Sequence, residues 1–217
     1  MSIPDFPGAF YFYKIETLTS CDGRDLTIEC QAIGNLVLPT GNIVACDGLI
    51  PSLEPFVQRV KPGSYPIVLS FAHSNHGQHV ACSLLRFSDT MPEVWKQATT
   101  IDQSVSDQSG YGVDTGTGCF ADLDAMIALL AAPDTYEELK KEVHKPYTDW
   151  VDFRVSDSAL CNIIVFSSGE GDGSYPSYYG YDADGNAVCL ATDFGIIAPL
   201  PDKKTEEPNK FQLKLDF

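Results

Sequence analysis

The sequence predicts a single α+β domain spanning residues 10–198, with a largely antiparallel sheet and two or three helices packed on it. Three observations predict this class. Apolar runs flank two turn-rich stretches near Gly41 and Gly77, which read as hairpins. Helical periodicity is confined to the middle of the chain, between residues 92 and 144. Strand-like runs occupy both ends, an arrangement that favours α+β over an alternating parallel sheet.

Taken in order, residues 1–9 read as a loose leader with prolines at 4 and 7. Residues 10–15 are aromatic and strand-like, and 26–32 alternate as a second strand. Residues 35–38 and 43–46 are apolar runs around Pro39-Thr-Gly-Asn42, the first hairpin signal. Four prolines between 49 and 66 mark an irregular connection. Residues 65–71 and 80–87 form the second hairpin, joined by a polar loop over 72–79 that holds His73, His76 and His79. Pro92 opens a short helix to Ala98, with Val94 and Trp95 on its core face. Residues 99–109 are polar and read as a surface loop.

The run Gly110-Tyr-Gly-Val-Asp-Thr-Gly-Thr-Gly118 leads into a helix over 121–132, whose spacing puts Leu123, Met126, Ile127 and Leu130 on the core side. Pro133 breaks it, and a more polar helix runs over 135–144. There the early acids Asp134, Glu137 and Glu138 and the later Lys140 and Lys141 suit the helix dipole. Residues 150–155 and 162–166 read as strands. Residues 178–181 and 187–192 read as two more, around an Asp-Ala-Asp-Gly turn. The charged tail, 199–217, ends in an alternation at 211–217 that suits an edge strand.

Composition narrows the function classes. The 217 residues carry 14 basic and 30 acidic side chains, a formal net charge of −16. Phosphate backbones repel such a surface, so direct nucleic-acid binding is not expected, and cations or a basic protein partner suit it better. No apolar run is long enough to span a bilayer, and no secretory signal opens the chain. Seven cysteines without CxxC pairing fit reduced, mostly buried thiols. The expected setting is cytoplasmic and free of membrane.

Several motifs bear on chemistry. Val113-Asp-Thr-Gly-Thr117 has the Asp-Thr-Gly of an aspartic protease, but that chemistry needs two aspartates sharing a proton, and one such motif occurs here. The glycine-rich turn before the 121 helix could instead receive an anion, though Asp114 opposes it. Asp182-Ala-Asp-Gly-Asn186 has the start of a calcium loop but carries Ala187 where glycine is required, so a hairpin turn is the better reading. The three histidines suit an exposed loop better than a metal site. Cys119, just ahead of a helix, lacks an identified histidine partner and is a weak nucleophile candidate.

The segments Gly110 to Phe120, Ser168-Gly-Glu-Gly-Asp-Gly-Ser-Tyr-Pro-Ser-Tyr178 with Gly180 and Asp182, Thr192-Asp-Phe194, and Leu85-Arg-Phe-Ser-Asp89 with Trp95 resemble the signature blocks of a bacterial family, domain of unknown function 4241. The resemblance covers roughly 35–194, and neither the first thirty residues nor the tail takes part. It implies a common fold and site without an established activity, and alanine at the position of Thr115, which weakens the protease reading further.

If these blocks converge, Asp114, Asp172, Asp182 and Asp193 share a pocket with Arg86 as counter-charge. Asp114 and Asp172 are then the candidate catalytic residues. Arg86, Tyr111, Tyr175, Tyr178 and Asp182 are candidate ligand contacts, and Asp172 with Asp193 candidate ligands for Mg²⁺ or Ca²⁺. Clustered carboxylates repel unless a cation, proton or arginine relieves them. The expected function is binding of a small polar ligand or divalent cation, with metal-assisted hydrolysis as one form of it. The alternative is a non-enzymatic acidic protein of immunity or inhibitor type that covers a basic partner. A purely structural role for the glycine blocks stands beside both.

Overall fold

The computed structural model of the chain describes residues 18–19, 23, 25–101, 110–155 and 161–197. The expected leader, the strand over 10–15, Cys21, most of the 99–109 loop and the tail over 199–217 lie outside the described residues. In chain order the elements are β1 (Leu18–Thr19), β2 (Asp25–Leu38), β3 (Ile43–Asp47), β4 (Gly63–Ser74), β5 (Gly77–Arg86), β6 (Val94–Gln97), β7 (Tyr111–Val113) and β8 (Thr117–Asp122). They continue with α1 (Leu123–Leu130), α2 (Pro133–Val143), β9 (Trp150–Arg154), β10 (Asn162–Ser167), β11 (Gly173–Tyr175), β12 (Ser177–Tyr181) and β13 (Ala187–Asp193).

The expected α+β class is corrected: among the described residues strand accounts for 52% and helix for 12%, so the fold is mainly β. Two of the tracts read as helical are the cause. Residues 94–97 form edge strand β6, paired with β12 so that Trp95 faces Gly180. A Cβ on Gly180 would stand 2.6 Å from Cys189 Sγ, 2.7 Å from Pro92 Cβ and 3.1 Å from the Trp95 ring, so the close packing of these three side chains needs glycine there. Residues 121 and 122 finish β8 rather than begin a helix.

Among the described residues all strand pairs are antiparallel. A seven-stranded sheet runs β1-β2-β4-β5-β13-β12-β6, a four-stranded sheet runs β3-β8-β10-β9, and β11 pairs with β7 as a separate ribbon. The larger cluster of buried side chains lies between the two sheets, with Leu36, Ile67, Leu69 and Leu190 from one and Ile43, Phe120, Ile164 and Phe166 from the other. On its outer face the smaller sheet contributes Val44, Cys119, Ile163 and Val165, which pack under Met126, Leu129 and Leu139 of the helices. The result is two sheets with a helical layer on one side.

The expected hairpin at Gly41 does not form. β2 pairs with β4 and β3 pairs with β8, so the Pro39–Asn42 turn carries the chain from one sheet to the other. Every residue of β3 is buried, and a strand covered on both faces must lie between layers. The hairpin at Gly77 does form, but its turn is tighter than expected: Ser74 pairs with Gly77, leaving Asn75 and His76 at the tip. His73 and His79 therefore belong to strands, and their register places them on opposite faces of the sheet. His73 lies 3.4 Å from Glu29, while a ring nitrogen of His79 is 3.1 Å from the Gly169 carbonyl.

The helix face is also corrected. α1 buries Ala125, Met126 and Leu129, whereas Ile127 and Leu130 are about half exposed, at 49% and 50%. Asp122, anchored in β8, caps the helix through the Asp124 N–H and so sets its rotation; sequence spacing cannot see that anchor. Leu129→Ala is accordingly expected to cost about 3 kcal/mol, and Ile127→Ala less than about 1 kcal/mol. Urea unfolding of the two variants checks the assignment, and equal losses would refute it.

The six described cysteines are free thiols, five of them buried. Cys46 and Cys119 face each other across β3 and β8, with sulfurs 3.5 Å apart. Among the described residues no helix is long and apolar enough to cross a membrane.

Candidate functional site

The two glycine-rich segments meet. Tyr111 pairs with Tyr175, Gly112 with Ser174 and Val113 with Gly173 to form the β7–β11 ribbon. Gly110 opens it at φ 69°, where a Cβ would lie 2.1 Å from the Tyr175 carbonyl oxygen. No side chain fits that approach, so this glycine is required by geometry.

Beyond the ribbon, the Asp114–Gly116 turn is bracketed by a buried carboxylate that sequence reasoning missed. Asp47 Oδ2 accepts the N–H groups of Asp114 at 2.8 Å and Thr115 at 2.9 Å. Its Oδ1 accepts the Thr115 hydroxyl at 2.6 Å and the Leu49 N–H at 2.7 Å. Asp47 is thus saturated, and its work is to hold the turn. From the other side Asp172 Oδ1 accepts the Gly116 N–H at 3.1 Å, and Ser168 N–H donates to the Gly116 carbonyl. Asp114 and Asp172 therefore flank one turn. Asp114 is exposed at a cleft, whereas Asp172 is an exposed brace on the neighbouring loop.

The tyrosines serve mainly as struts. Tyr175 donates its hydroxyl to the Gly171 carbonyl at 2.8 Å and closes the 168–171 loop, and burial raises its phenol. Tyr111 is among the residues that line the cleft, and its hydroxyl is buried without a well-formed hydrogen bond, the Thr192 side chain being the polar group beside it. Burial pushes that phenol well up.

The remaining candidates lie elsewhere. Asp182 folds its carboxylate into its own hairpin turn, accepting N–H groups from Asn186 at 2.8 Å and Asp184 at 3.0 Å, which hold it below the usual carboxylate range. Arg86 pairs with Asp89 at 3.2 Å. It stands opposite Cys189, four residues along β5 from the Cys82 that faces Asp193, about 13 Å at strand rise. Asp193 and Phe194 alternate: Phe194 packs on the Tyr175 ring in the core between the sheets, and Asp193 points to the opposite face, beside Tyr178 and Cys82. The structure thus brings Asp114, Asp172, Tyr111 and Tyr175 together around the ribbon and places Asp182, Arg86 and the Asp193–Tyr178 pair apart from it. Among the described residues no three His, Cys, Asp or Glu side chains gather closely enough to hold a metal ion.

Asp193 carries a consequence for pH. Burial raises its carboxyl to about 6, and the Gly195 N–H at 2.9 Å offsets part of that. An unfolded aspartate titrates near ~3.9, so the folded form binds its proton more tightly. Stability is then fully present below about pH 4, falls as pH rises towards about 6, and stays lowered above it. Asp193→Asn keeps the acceptor for Gly195 and removes the charge. It is expected to raise stability at pH 7.5 by roughly 1–3 kcal/mol and by almost nothing at pH 4. Urea midpoints at the two pH values check this, and a gain of equal size at both would contradict it.

Two further aspartate and asparagine brackets were not legible beforehand. Asp122 joins the 40–41 turn to α1, and Asn162 ties the sheets together through the Val37 N–H at 2.9 Å and the Asn35 carbonyl at 2.9 Å. An Asp before Gly48 or at the mouth of a helix looks like ordinary turn or cap chemistry, and the sequence offers no sign of the distant backbone it serves.

No curated protein and no solved structure matches the chain. Residues 36–192 match the family described as protein of unknown function (DUF4241), and that stretch contains β3 to β12, the ribbon and the bracketed turn. With most of its length inside that match, this chain belongs to the DUF4241 family.

Proposed function

We propose that the chain is a binding protein for a small polar ligand rich in hydrogen-bond donors, taken up in the cleft at Asp114. The observation that carries this is the cleft itself. It has a volume of about 340 Å³ and is lined by Asp47, Glu54, Asp114 and the backbone of Gly110 and Gly112. Small-molecule sites commonly span ~300–1,000 Å³. Asp47 already spends its carboxylate on the turn, so Glu54 and Asp114 are the acceptors left to a ligand. A wall fixed in advance lowers the ordering cost of binding. A free ligand fits this arrangement better than a resident divalent cation, because the described carboxylates here do not form a three-membered cluster. Hydrolysis by Asp114 and Asp172 would require a metal or water brought in with the ligand.

Titration with spermidine at 0.15 M salt, followed by amide shifts in NMR, tests the reading. Shifts should concentrate on residues 110–114 and 54, and Asp114→Asn or Glu54→Gln should each weaken binding roughly two- to fivefold. Shifts spread evenly over the acidic surface, unaffected by either change, would refute it.

A second reading is favoured by a separate feature. Ile50, Leu53, Val57 and Ile101 are exposed near this cleft, and exposed apolar groups beside acidic ones suit a protein partner. An acidic protein of immunity or inhibitor type, covering a basic partner, draws on these residues and the −16 charge. Salt-sensitive capture of one basic protein, lost in a Val57→Ser/Ile101→Ser variant, would support it over the first.

A further inference from the structure

A second cleft differs in sign from the first. Its volume is about 450 Å³, and Gln58, Arg59, Lys61, Tyr65, Phe87 and Tyr181 line it together with the turn at 185–187. Among the described residues lining it none is acidic, in a chain of net charge −16. Among the described residues neither Arg59 nor Lys61 forms an ion pair with the acids of the adjoining turn. Asp182 is folded onto its own backbone N–H groups, and Asp184 is exposed at the turn.

The wall carrying the cations is held in place by four hydrogen bonds. The Gln58 carbonyl accepts the Tyr179 hydroxyl at 2.9 Å, and the Lys61 carbonyl accepts the Tyr65 hydroxyl at 2.7 Å. Val60 N–H donates to the Gly41 carbonyl at 3.0 Å, and Arg59 Nη2 donates to the Thr40 carbonyl at 2.9 Å. Gly41, at φ 72°, approaches so closely that a Cβ would lie 2.0 Å from the Val60 oxygen. The cleft's rings are equally set: Tyr65 meets Phe87 edge-on at 5.3 Å, and Phe87 and Tyr181 both pack on the buried Tyr179.

We infer that this cleft binds a small anion carrying a flat aromatic ring, with the anionic group on Arg59 and Lys61 and the ring against Tyr65, Phe87 and Tyr181. Arginine and lysine on a fixed backbone give charge-assisted donors for a phosphate or carboxylate. Aromatic side chains add stacking contact that is indifferent to the ring's identity. Among the described residues no acidic side chain lines the cleft, and charges further off are screened over a Debye length of ~10 Å at 0.1 M salt, so the two lining cations set the local sign. The site shares no lining residue with the acidic cleft, so its fate is independent of the reading above.

Calorimetric titration at 0.1 M salt with adenosine monophosphate and with phenyl phosphate tests the inference, with adenosine, phenol and inorganic phosphate as the separated halves. Both aromatic phosphates should bind, at least tenfold more tightly than either half. An Arg59→Gln/Lys61→Gln variant should weaken them tenfold or more. Lys141→Gln/Lys145→Gln removes the same charge from α2 and the turn after it and should leave binding unchanged. Tyr65→Leu should weaken phenyl phosphate while sparing inorganic phosphate. Circular dichroism confirms that each variant is folded, and Arg59→Lys serves in place of the double variant if that one is not. Failure of both aromatic phosphates to bind, or equal losses in the two double variants, overturns the proposal.

Discussion

Asp122→Ala is expected to destabilise the fold by about 4 kcal/mol. The side chain is fully buried, and its two oxygens accept four hydrogen bonds. Oδ2 takes the N–H groups of Thr40 at 3.0 Å and Gly41 at 3.1 Å, and Oδ1 takes the Thr40 hydroxyl at 2.8 Å and the Asp124 N–H at 3.0 Å. Removing the carboxylate abolishes the cap of α1, worth about 1 kcal/mol. It also strands backbone N–H groups at the crossover between the sheets, at about 1–3 kcal/mol for each that stays buried. Against a typical domain stability of ~5–15 kcal/mol this is a large share. Asp122→Asn retains one acceptor oxygen and should lose roughly half as much. Urea unfolding gives both values, and a loss below about 1 kcal/mol for the alanine variant would show that the bracket is dispensable.

Gly110→Ala is expected to cost about 3 kcal/mol or more, while Gly112→Ala, two residues away in the same glycine run, should change stability by less than about 1 kcal/mol. At Gly110 two penalties combine. The backbone is left-handed at φ 69°, unfavourable for alanine by ~1–2 kcal/mol. The new Cβ would also sit 2.1 Å from the Tyr175 oxygen and 2.2 Å from its carbonyl carbon, backbone atoms that can give way only if β7 parts from β11. Gly112 has neither problem: nothing lies within 4 Å of its would-be Cβ, and its φ is ordinary. Alanine there also reduces the freedom of the unfolded chain, a gain of ~0.4–1 kcal/mol. Hydrogen exchange localises the damage, since Gly110→Ala should expose the Tyr111 and Tyr175 amides before the rest of the sheets. Equal effects at the two glycines would mean that the ribbon is not held as described.

The hairpins β4–β5 and β12–β13 were legible because each joins two apolar runs through a short turn with Gly77 or Asp182–Gly185, and local chain geometry alone selects that pairing. The same signal at Pro39–Asn42 misled, since the turn there serves a strand buried on both faces. The acidic glycine segments were singled out, and they do meet. Their chemistry was harder to read, because an aspartate that braces a backbone and one that faces a cleft look alike in one dimension. Asp114 and Asp172 differ in this way, and the decisive Asp47 lies 67 residues from the turn it holds.

The amino-acid order by itself determined the local features of this protein: the antiparallel hairpins, the polar second helix, the tight Asp182 turn, the acidic balance and the family membership carried by its glycine blocks. Tertiary structure decided which runs became strands of which sheet, which face of α1 turned inward, and which carboxylates were spent on backbone N–H groups. The reason is physical. Periodicity and turn chemistry act over a few residues, whereas burial on two faces, close backbone approach and hydrogen-bond satisfaction depend on segments that only folding brings into contact.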